Sequence, residues 1–161
     1  NVYGLSKLKS EKLLLDQSED SLVIRSNVLY DYSSKSEASF LNWVVESLNQ
    51  EKEISVVEDQ WNNPTWTGSL AVVIDRAIDT QVTGLVHWGD GDLVSRFDFA
   101  NKIADAFNLK KSLIKPILTS ELNQTAKRPL KSGLTSDYAQ NILNLEPPTI
   151  KECLETIVEQ K

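Results

Sequence analysis

Residues 1–15, NVYGLSKLKSEKLLL, and residues 21–30, SLVIRSNVLY, decide the fold class of this chain. The first stretch predicts a helix on which Tyr3 and Lys7, four positions apart, share one face. The second stretch is mostly apolar and β-branched, which predicts a strand buried on both faces. A helix that leads directly into a buried strand is typical of α/β proteins.

The same alternation continues to the end of the chain. Two capping boxes, Ser95 with Asp98 and Thr149 with Glu152, predict the starts of late helices. The predicted elements after residue 30 are a helix in 36–50, a strand in 53–60, a loop at 61–68, a helix at 68–81, a strand from 84 that ends in the turn 89–92, a helix at 95–107, a strand at 114–118, a loop at 119–136 and a helix at 149–157. Strands separated by helices predict an α/β fold with a largely parallel sheet.

The composition is that of a folded globular protein with an acidic balance. Hydrophobic residues make up 40% of the 161 positions and charged residues 25%, which argues against a disordered or fibrous chain. The net charge of −6, without a run of Lys and Arg, argues against nucleic acid as a partner. The longest apolar runs, such as residues 70–74, are too short to span a membrane. A lone cysteine, Cys153, is more typical of a reducing compartment, so we expect the cytoplasm.

The pair formed by Tyr3 and Lys7 is the first candidate for chemistry. A neighbouring ammonium group stabilises a phenolate, so the tyrosine can serve as a general acid. A carbonyl reductase needs such an acid, because the oxygen of its substrate gains negative charge as hydride arrives at carbon. On spacing alone, a surface pair on an amphipathic helix is the commoner explanation.

Motifs for cofactors and metals are scarce elsewhere in the sequence. The six glycines form neither the G-x-G-x-x-G turn nor a Walker loop. His87 has no second histidine or cysteine near it, and Asp90 and Asp92 lack the other ligands of a calcium loop. We therefore expect no metal site.

Several short motifs follow the helix with Tyr3 and Lys7 in a characteristic order. They are VIRSNVLY, Asp59-Gln60, Pro64-Thr65-Trp66, Leu70-Ala71, GLVHWGDGD, FDFANKIADAF and AKRPLKSGL. In this order and spacing they resemble the dTDP-4-dehydrorhamnose reductase family, which belongs to the extended short-chain dehydrogenase/reductase superfamily. The resemblance covers nearly all of the chain.

By this resemblance, the chain is the C-terminal part of a Rossmann-like parallel sheet plus a small α/β substrate-binding subdomain. Residues 1–34 and 67–92 would form the back half of the dinucleotide-binding fold, and residues 35–66 and 93–161 the substrate-binding subdomain. The glycine-rich half would precede Asn1, in line with a sequence that holds no methionine. We therefore expect these 161 residues alone to be inactive and to have no measurable affinity for NADPH.

The resemblance also implies roles for individual residues. Tyr3 would donate the proton, and Lys7 would bind the ribose of the nicotinamide. Ser26 and Asn27 would line the cofactor cleft. The implied substrate-binding residues are Val28, Gln60, Thr65 and Arg128, the last through the diphosphate of a nucleotide-sugar. Val28 departs from the family, which usually has a tryptophan there. The alternative for these cleft residues is an ordinary turn, loop or surface role.

The implied activity is the reduction, with NADPH or NADH, of the 4-keto group of a nucleotide-linked deoxysugar, with dTDP-4-dehydrorhamnose as the first choice. An alternative is a non-catalytic regulatory subunit, because residues 87–109 are also similar to the methionine adenosyltransferase β subunit and Val28 fits that protein. An unrelated α/β domain that carries the pair by chance is a third interpretation. Unpaired sheet edges would favour self-association, so a homodimer is an expected assembly.

Overall fold

The fold is given by a computed structural model, which describes residues 1–33, 39–122, 126 and 128–161. Helices alternate with single strands or groups of short strands as far as β8, as the sequence predicts, and α5 and α6 follow in succession. The helices are α1 (Val2–Gln17), α2 (Phe40–Asn49), α3 (Thr67–Asp79), α4 (Arg96–Ala106), α5 (Asp137–Leu143) and α6 (Ile150–Glu159). The strands are β1 (Leu22–Ser26), β2 (Leu29–Tyr30), β3 (Ile54–Val57), β4 (Trp61–Asn62), β5 (Thr65–Trp66), β6 (Gly84–Trp88), β7 (Val94–Ser95) and β8 (Ile114–Ile117). Short 3-10 helices lie at Lys111–Leu113 and Thr119–Glu121.

Strand pairing is mainly parallel, which confirms the predicted α/β class. The strands of the described ranges form two-stranded pairs, of which β1–β6, β2–β5 and β3–β8 are parallel and β4–β7 is antiparallel. Pair β1–β6 is in register from Leu22 opposite Gly84 to Ser26 opposite Trp88. The carboxyl ends of both strands therefore lie at one edge, which is where open parallel sheets bind their ligands. We call this edge the carboxyl edge.

Side-chain caps explain where the late helices begin. At α4 the Ser95 hydroxyl accepts a hydrogen bond from the Asp98 N–H, and the Asp98 carboxylate accepts from the Ser95 N–H. At α6 Thr149 and Glu152 form the same arrangement. Both predicted capping boxes are thus confirmed, and each satisfies backbone N–H groups that would otherwise lack a partner.

The described residues form two hydrophobic clusters. The larger cluster packs α2, α4 and α6 against β3 and β8, with the ring of Phe99 4.9 Å from that of Tyr30 and 5.6 Å from that of Phe40. The smaller cluster packs α3 and α5 against β6. Helix α5 thus joins the smaller cluster, although the predicted division assigns residues 93–161 to the substrate-binding subdomain, and that division stays a prediction.

The predicted strand at residues 21–30 is wrong in two respects. It divides into β1 and β2 at Asn27 and Val28, and all residues of β1 are half-buried rather than buried. Helix α1, which lies against β1, likewise has no buried residue, so the helix covers this strand only in part.

Two further regions differ from the prediction. The loop at residues 61–68 contains the short strands β4 and β5, and α5 lies just beyond the predicted loop at 119–136. Only Ala139 and Leu143 of α5 are buried, which is too short a pattern to indicate a helix. The residue before α5, Ser136, offers no capping bond, because its hydroxyl bonds the backbone of Gly89. No helix among the described residues is both long and apolar enough to cross a membrane.

We expect Phe99→Ala to lower the free energy of unfolding by about 3–5 kcal/mol, because it removes a buried ring and leaves a cavity between two aromatic neighbours. Urea denaturation followed by circular dichroism measures this change. The control is Val72→Ala on the exposed face of α3, for which we expect a change below about 0.5 kcal/mol. Equal effects of the two substitutions would contradict the assignment of Phe99 to the core.

Candidate active site

The first two turns of α1 present Tyr3 and Lys7 to solvent. Asn1 caps the helix, because its side-chain oxygen accepts a hydrogen bond of 2.8 Å from the Gly4 N–H. The Lys7 Nζ lies 5.6 Å from the centroid of the Tyr3 ring, so the two side chains share a face as their spacing predicts. Tyr3 is 72% exposed, which leaves its hydroxyl accessible to a ligand. The catalytic roles of both residues stay predictions.

An ion pair attaches α1 to the parallel pair β1–β6. The Arg25 guanidinium donates to both carboxylate oxygens of Glu11, at 3.0 Å from Nε and 2.6 Å from Nη2. The hydrogen bond from Arg25 is the main reason why the pKa of Glu11 is lowered. His87, opposite Arg25 on β6, places its Nε2 3.5 Å from the Arg25 Nη1. Because no α1 side chain is buried, this ion pair is a principal contact that orients the helix.

The position of the same ion pair shows in which direction α1 runs along β1. Residues 18–21 join the end of α1 to the start of β1, and Glu11 contacts Arg25 near the end of β1. The helix therefore runs antiparallel to the strand. Tyr3 lies about two turns, roughly 12 Å, before Glu11 along the helix axis. The N-terminal turn of α1 thus projects toward the carboxyl edge.

Ser26, Asn27 and Val28 lie at the carboxyl edge and are half-buried. The Asn27 side chain donates through Nδ2 to the Ser132 carbonyl, which ties this edge to a late loop. Val28 has a φ of 32°, in the left-handed region that a β-branched residue rarely adopts. Its carbonyl accepts a 3.2 Å hydrogen bond from the Thr65 N–H. The three residues therefore lie at the edge toward which the start of α1 projects, while their cofactor and substrate roles stay predictions.

A cleft of about 350 Å³ brings two of the predicted substrate-binding residues together. We call it the arginine cleft, and its lining includes Phe40, Trp43, Gln60, Arg96, Leu122 and Arg128. Gln60 is buried, and its side-chain amide donates to the Thr119 hydroxyl at 3.0 Å, which fixes its orientation. Arg128 is exposed. The cleft therefore carries two guanidinium groups beside a fixed amide.

Arg96 is a charged residue of the arginine cleft that the sequence analysis did not assign to a site. It lies between Ser95 and Asp98, which form the first capping box, and its own side chain takes no part in that motif. The motif therefore indicated Ser95 and Asp98 and not Arg96. One signal could have found it. A positive charge in the first turn of a helix opposes the helix dipole, and such a residue needs an explanation.

Thr65 has a different environment from the one predicted. It is completely buried, at 0% exposure, and its hydroxyl donates to the Asn63 carbonyl at 3.3 Å. The structure therefore does not bring Thr65 to the arginine cleft, and its backbone instead joins β5 to the turn at Val28.

The turn at residues 89–92 holds together the helices and strands next to the carboxyl edge. Asp90 is 1% exposed and accepts hydrogen bonds from the Ser69 hydroxyl at 2.6 Å and the Trp66 N–H at 2.7 Å. Burial raises the pKa of Asp90, against these hydrogen bonds, which act to lower it. Asp92 accepts from the first N–H of α6 at 2.7 Å. The turn thus connects β6 with α3, β5 and α6, a function that the sequence analysis did not assign to it.

The part of the chain that the structure describes contains no group of three or more His, Cys, Asp or Glu side chains arranged to hold a metal ion. His87 is instead a neighbour of the ion pair at Arg25.

With this geometry established, the chain can be compared with known proteins. A family model described as the RmlD substrate binding domain matches residues 1–161. The chain belongs to the RmlD substrate-binding domain family. This membership confirms the resemblance to dTDP-4-dehydrorhamnose reductases that the order of motifs indicated.

Individual relatives agree with the RmlD assignment. A Haloferax volcanii protein named "Probable low-salt glycan biosynthesis reductase Agl14" is 27% identical over 154 residues, which cover 94% of this chain and 51% of that protein. Methionine adenosyltransferase 2 subunit beta of Bos taurus is 31% identical over 141 residues, which cover 83% of this chain and 42% of that protein. The chain spans about half the length of the curated relatives it matches.

A solved structure confirms the fold of the RmlD domain. The crystal structure of dTDP-4-dehydrorhamnose reductase from Bacillus anthracis, in complex with NADP, has a TM-score of 0.90 and 29% identity to this chain. The match covers 100% of this chain and 56% of that chain. Over its own whole length, this chain therefore has the Rossmann-like α/β fold of the matching part of the reductase.

We expect Glu11→Gln to loosen α1, because a neutral amide cannot keep the two charge-assisted hydrogen bonds from Arg25. Hydrogen exchange read by mass spectrometry should show faster exchange of the α1 backbone amides than in the unchanged protein, with α4 unaffected.

Glu19→Gln is the matched control, since it removes the same charge from an exposed position just after α1. We expect it to leave α1 exchange unchanged. If Glu11→Gln also leaves it unchanged, the ion pair does not hold the helix.

Proposed function

We propose that the protein is an NAD(P)H-dependent reductase of the 4-keto group of a nucleotide-linked deoxysugar, with dTDP-4-dehydrorhamnose as its substrate. The observation that carries this proposal is the exposed pair of Tyr3 and Lys7 at the start of α1, which projects toward the carboxyl edge. Relatives named as a dTDP-4-dehydrorhamnose reductase and a glycan biosynthesis reductase support it.

NADPH is the cofactor that we propose for this edge. The residues present fit a nicotinamide ribose, because the Lys7 ammonium group offers three donors, the Tyr3 hydroxyl one more, and both side chains are exposed. Ser26 and Asn27 would line the same site. The solved Bacillus anthracis relative is in complex with NADP, which favours NADPH over NADH. When bound, the reduced nicotinamide would supply the hydride.

Tyr3 and Lys7 would manage the proton. As the carbonyl oxygen of the sugar gains negative charge, the Tyr3 hydroxyl would donate its proton to that oxygen and become a phenolate. The Lys7 ammonium group would stabilise this phenolate from the same face of the helix. Because both side chains are exposed, solvent can return the proton to Tyr3.

The substrate would extend from the carboxyl edge to the arginine cleft. Arg128 suits the diphosphate, because a guanidinium makes two parallel hydrogen bonds to phosphate oxygens. Gln60 would present its remaining amide acceptor to the ligand. Val28 would contact the sugar, and it occupies less space than the tryptophan usual in the family. Thr65, being buried, would support the site from within.

In this proposal residues 1–34 and 67–92 belong to the dinucleotide-binding part, and residues 35–66 and 93–161 to the substrate-binding part. We further propose that the protein acts in the cytoplasm and forms a homodimer. The formal charge of −6 is consistent with a small nucleotide ligand rather than nucleic acid as the partner.

We expect Tyr3→Phe to lower kcat for NADPH oxidation with dTDP-4-dehydrorhamnose by about 10²–10⁴-fold, because it removes the proton donor and little else. The loss of NADPH absorbance measures this rate in the purified full-length protein. Tyr138→Phe is the control, since Tyr138 is 64% exposed on α5, and we expect it to change kcat by less than about twofold. Activity retained in Tyr3→Phe would remove the proposed acid.

A second candidate is a regulatory subunit without catalytic activity. The 31% identity to methionine adenosyltransferase 2 subunit beta favours it, and so does Val28. Stable co-purification with a methionine adenosyltransferase, together with no reduction of a keto-sugar, would select this candidate. Turnover of the keto-sugar by the protein alone would exclude it.

A further inference from the structure

Arg96 occupies the arginine cleft in a way that the proposed function leaves unexplained. We propose that Arg96 is a specificity-determining residue that binds, together with Arg128, the diphosphate of a nucleoside diphosphate whose base stacks on Trp43. This inference rests on the proposed function, because it names the part of the nucleotide-sugar that the cleft receives.

Arg96 stands where an α-helix disfavours a positive charge. It is the first residue of α4 and follows the N-cap residue Ser95. The N-terminal end of a helix carries roughly half a positive charge, so a cation in the first turn is unfavourable unless an anion compensates it. The one acidic residue of that turn, Asp98, is engaged by Ser95 in the capping box. The helix dipole therefore does not explain a positive charge at Arg96.

The charge of Arg96 is also partly removed from water and has no acidic partner among the described residues. Burial lowers the pKa of Arg96, and the positive charge of Arg128 lowers it further. Neither arginine forms an ion pair with an acidic residue in the ranges 1–33, 39–122, 126 and 128–161. Two like charges that face one cleft repel each other. An anion that carries at least two negative charges would relieve this repulsion.

Neighbouring groups hold Arg96 in position before any ligand binds. Its guanidinium carbon lies 5.3 Å from the centroid of the Phe40 ring, a cation–π arrangement. Its backbone N–H donates to the Gln60 carbonyl at 3.1 Å, so the start of α4 is fixed to the segment that carries Gln60. A side chain that is already ordered loses little conformational freedom on binding.

Trp43 supplies the surface for a base. It is 40% exposed at the cleft, and its ring centroid lies 5.6 Å from that of Phe40. An exposed indole beside two guanidinium groups matches a ligand with a flat aromatic ring joined to phosphates. The cleft volume of about 350 Å³ is within the range of small-molecule sites. These features favour a nucleoside diphosphate over an isolated phosphate.

Isothermal titration calorimetry of the purified protein with dTDP tests the role of Arg96. We expect Arg96→Met and Arg128→Met each to weaken dTDP binding by roughly tenfold or more, because each removes a charge-assisted contact with the diphosphate. Arg96→Lys should give an intermediate loss, because it keeps the charge without the planar fork. Arg76→Met, on the exposed face of α3, removes the same charge and should not change the affinity.

Two further ligands separate the phosphate from the base. Thymidine, which carries no phosphate, should bind weakly and with equal affinity to the unchanged protein and to Arg96→Met. Trp43→Ala should weaken binding of dTDP but not of inorganic pyrophosphate. The thermal midpoint of each variant should stay near that of the unchanged protein, and Arg96→Lys keeps the test valid if Arg96→Met unfolds.

The outcomes separate this inference from the proposed function. If the arginine variants bind dTDP as tightly as the Arg76→Met control, the inference is wrong, whatever the reductase activity. If the unchanged protein reduces the keto-sugar but dTDP binding does not depend on Arg96, the proposed function is supported and the role inferred for Arg96 is wrong. If dTDP binding depends on Arg96 while the full-length protein reduces no keto-sugar, the cleft is a nucleotide site and the reductase proposal fails.

Discussion

The ion pair between Glu11 and Arg25 connects helix α1, which carries the candidate catalytic residues, to strand β1. Helix α1 has no buried side chain, so burial of apolar surface contributes little to its position. A carboxylate and a guanidinium that share two hydrogen bonds define both the contact point and the direction of the helix. The Arg25 side chain is 40% exposed and that of Glu11 18%, so solvent screens the pair only in part. Tyr3 and Lys7 lie on the helix that this contact connects to β1, on the part that projects toward the carboxyl edge.

Two sets of charged groups near the candidate site differ in their partners. Asp90 is buried at the end of β6 and is held by the Ser69 hydroxyl and the Trp66 N–H, so it joins elements together. Arg96 and Arg128 face the arginine cleft without an acidic partner among the described residues. Asp90 thus helps to build the framework of the site, and we propose that Arg96 and Arg128 bind a ligand.

Much of the fold could be predicted from the sequence because it follows from local patterns. Both capping boxes and the shared face of Tyr3 and Lys7 depend on residues three or four positions apart. The break of the early strand at Val28 and helix α5 could not be predicted, because each depends on partners far along the chain. Val28 is held by the Thr65 N–H, and Ser136 at the start of α5 is bound to Gly89.

The candidate site shows the same limit. The motifs indicated Gln60 and Arg128 separately, and the fold brings them into one cleft. The burial of Thr65 and the place of Arg96 in the cleft are consequences of tertiary packing. Local sequence reasoning reaches such residues only when a position opposes a local preference, as Arg96 does at the start of α4.

The most direct measurement follows a labelled hydride. The purified full-length protein is incubated with dTDP-4-dehydrorhamnose and NADPH that carries deuterium at the transferable position of the nicotinamide, and the sugar product is analysed by mass spectrometry and NMR. The account predicts one deuterium atom, bonded to C4 of the product sugar. A product without deuterium at C4, or no product at all, would contradict the account.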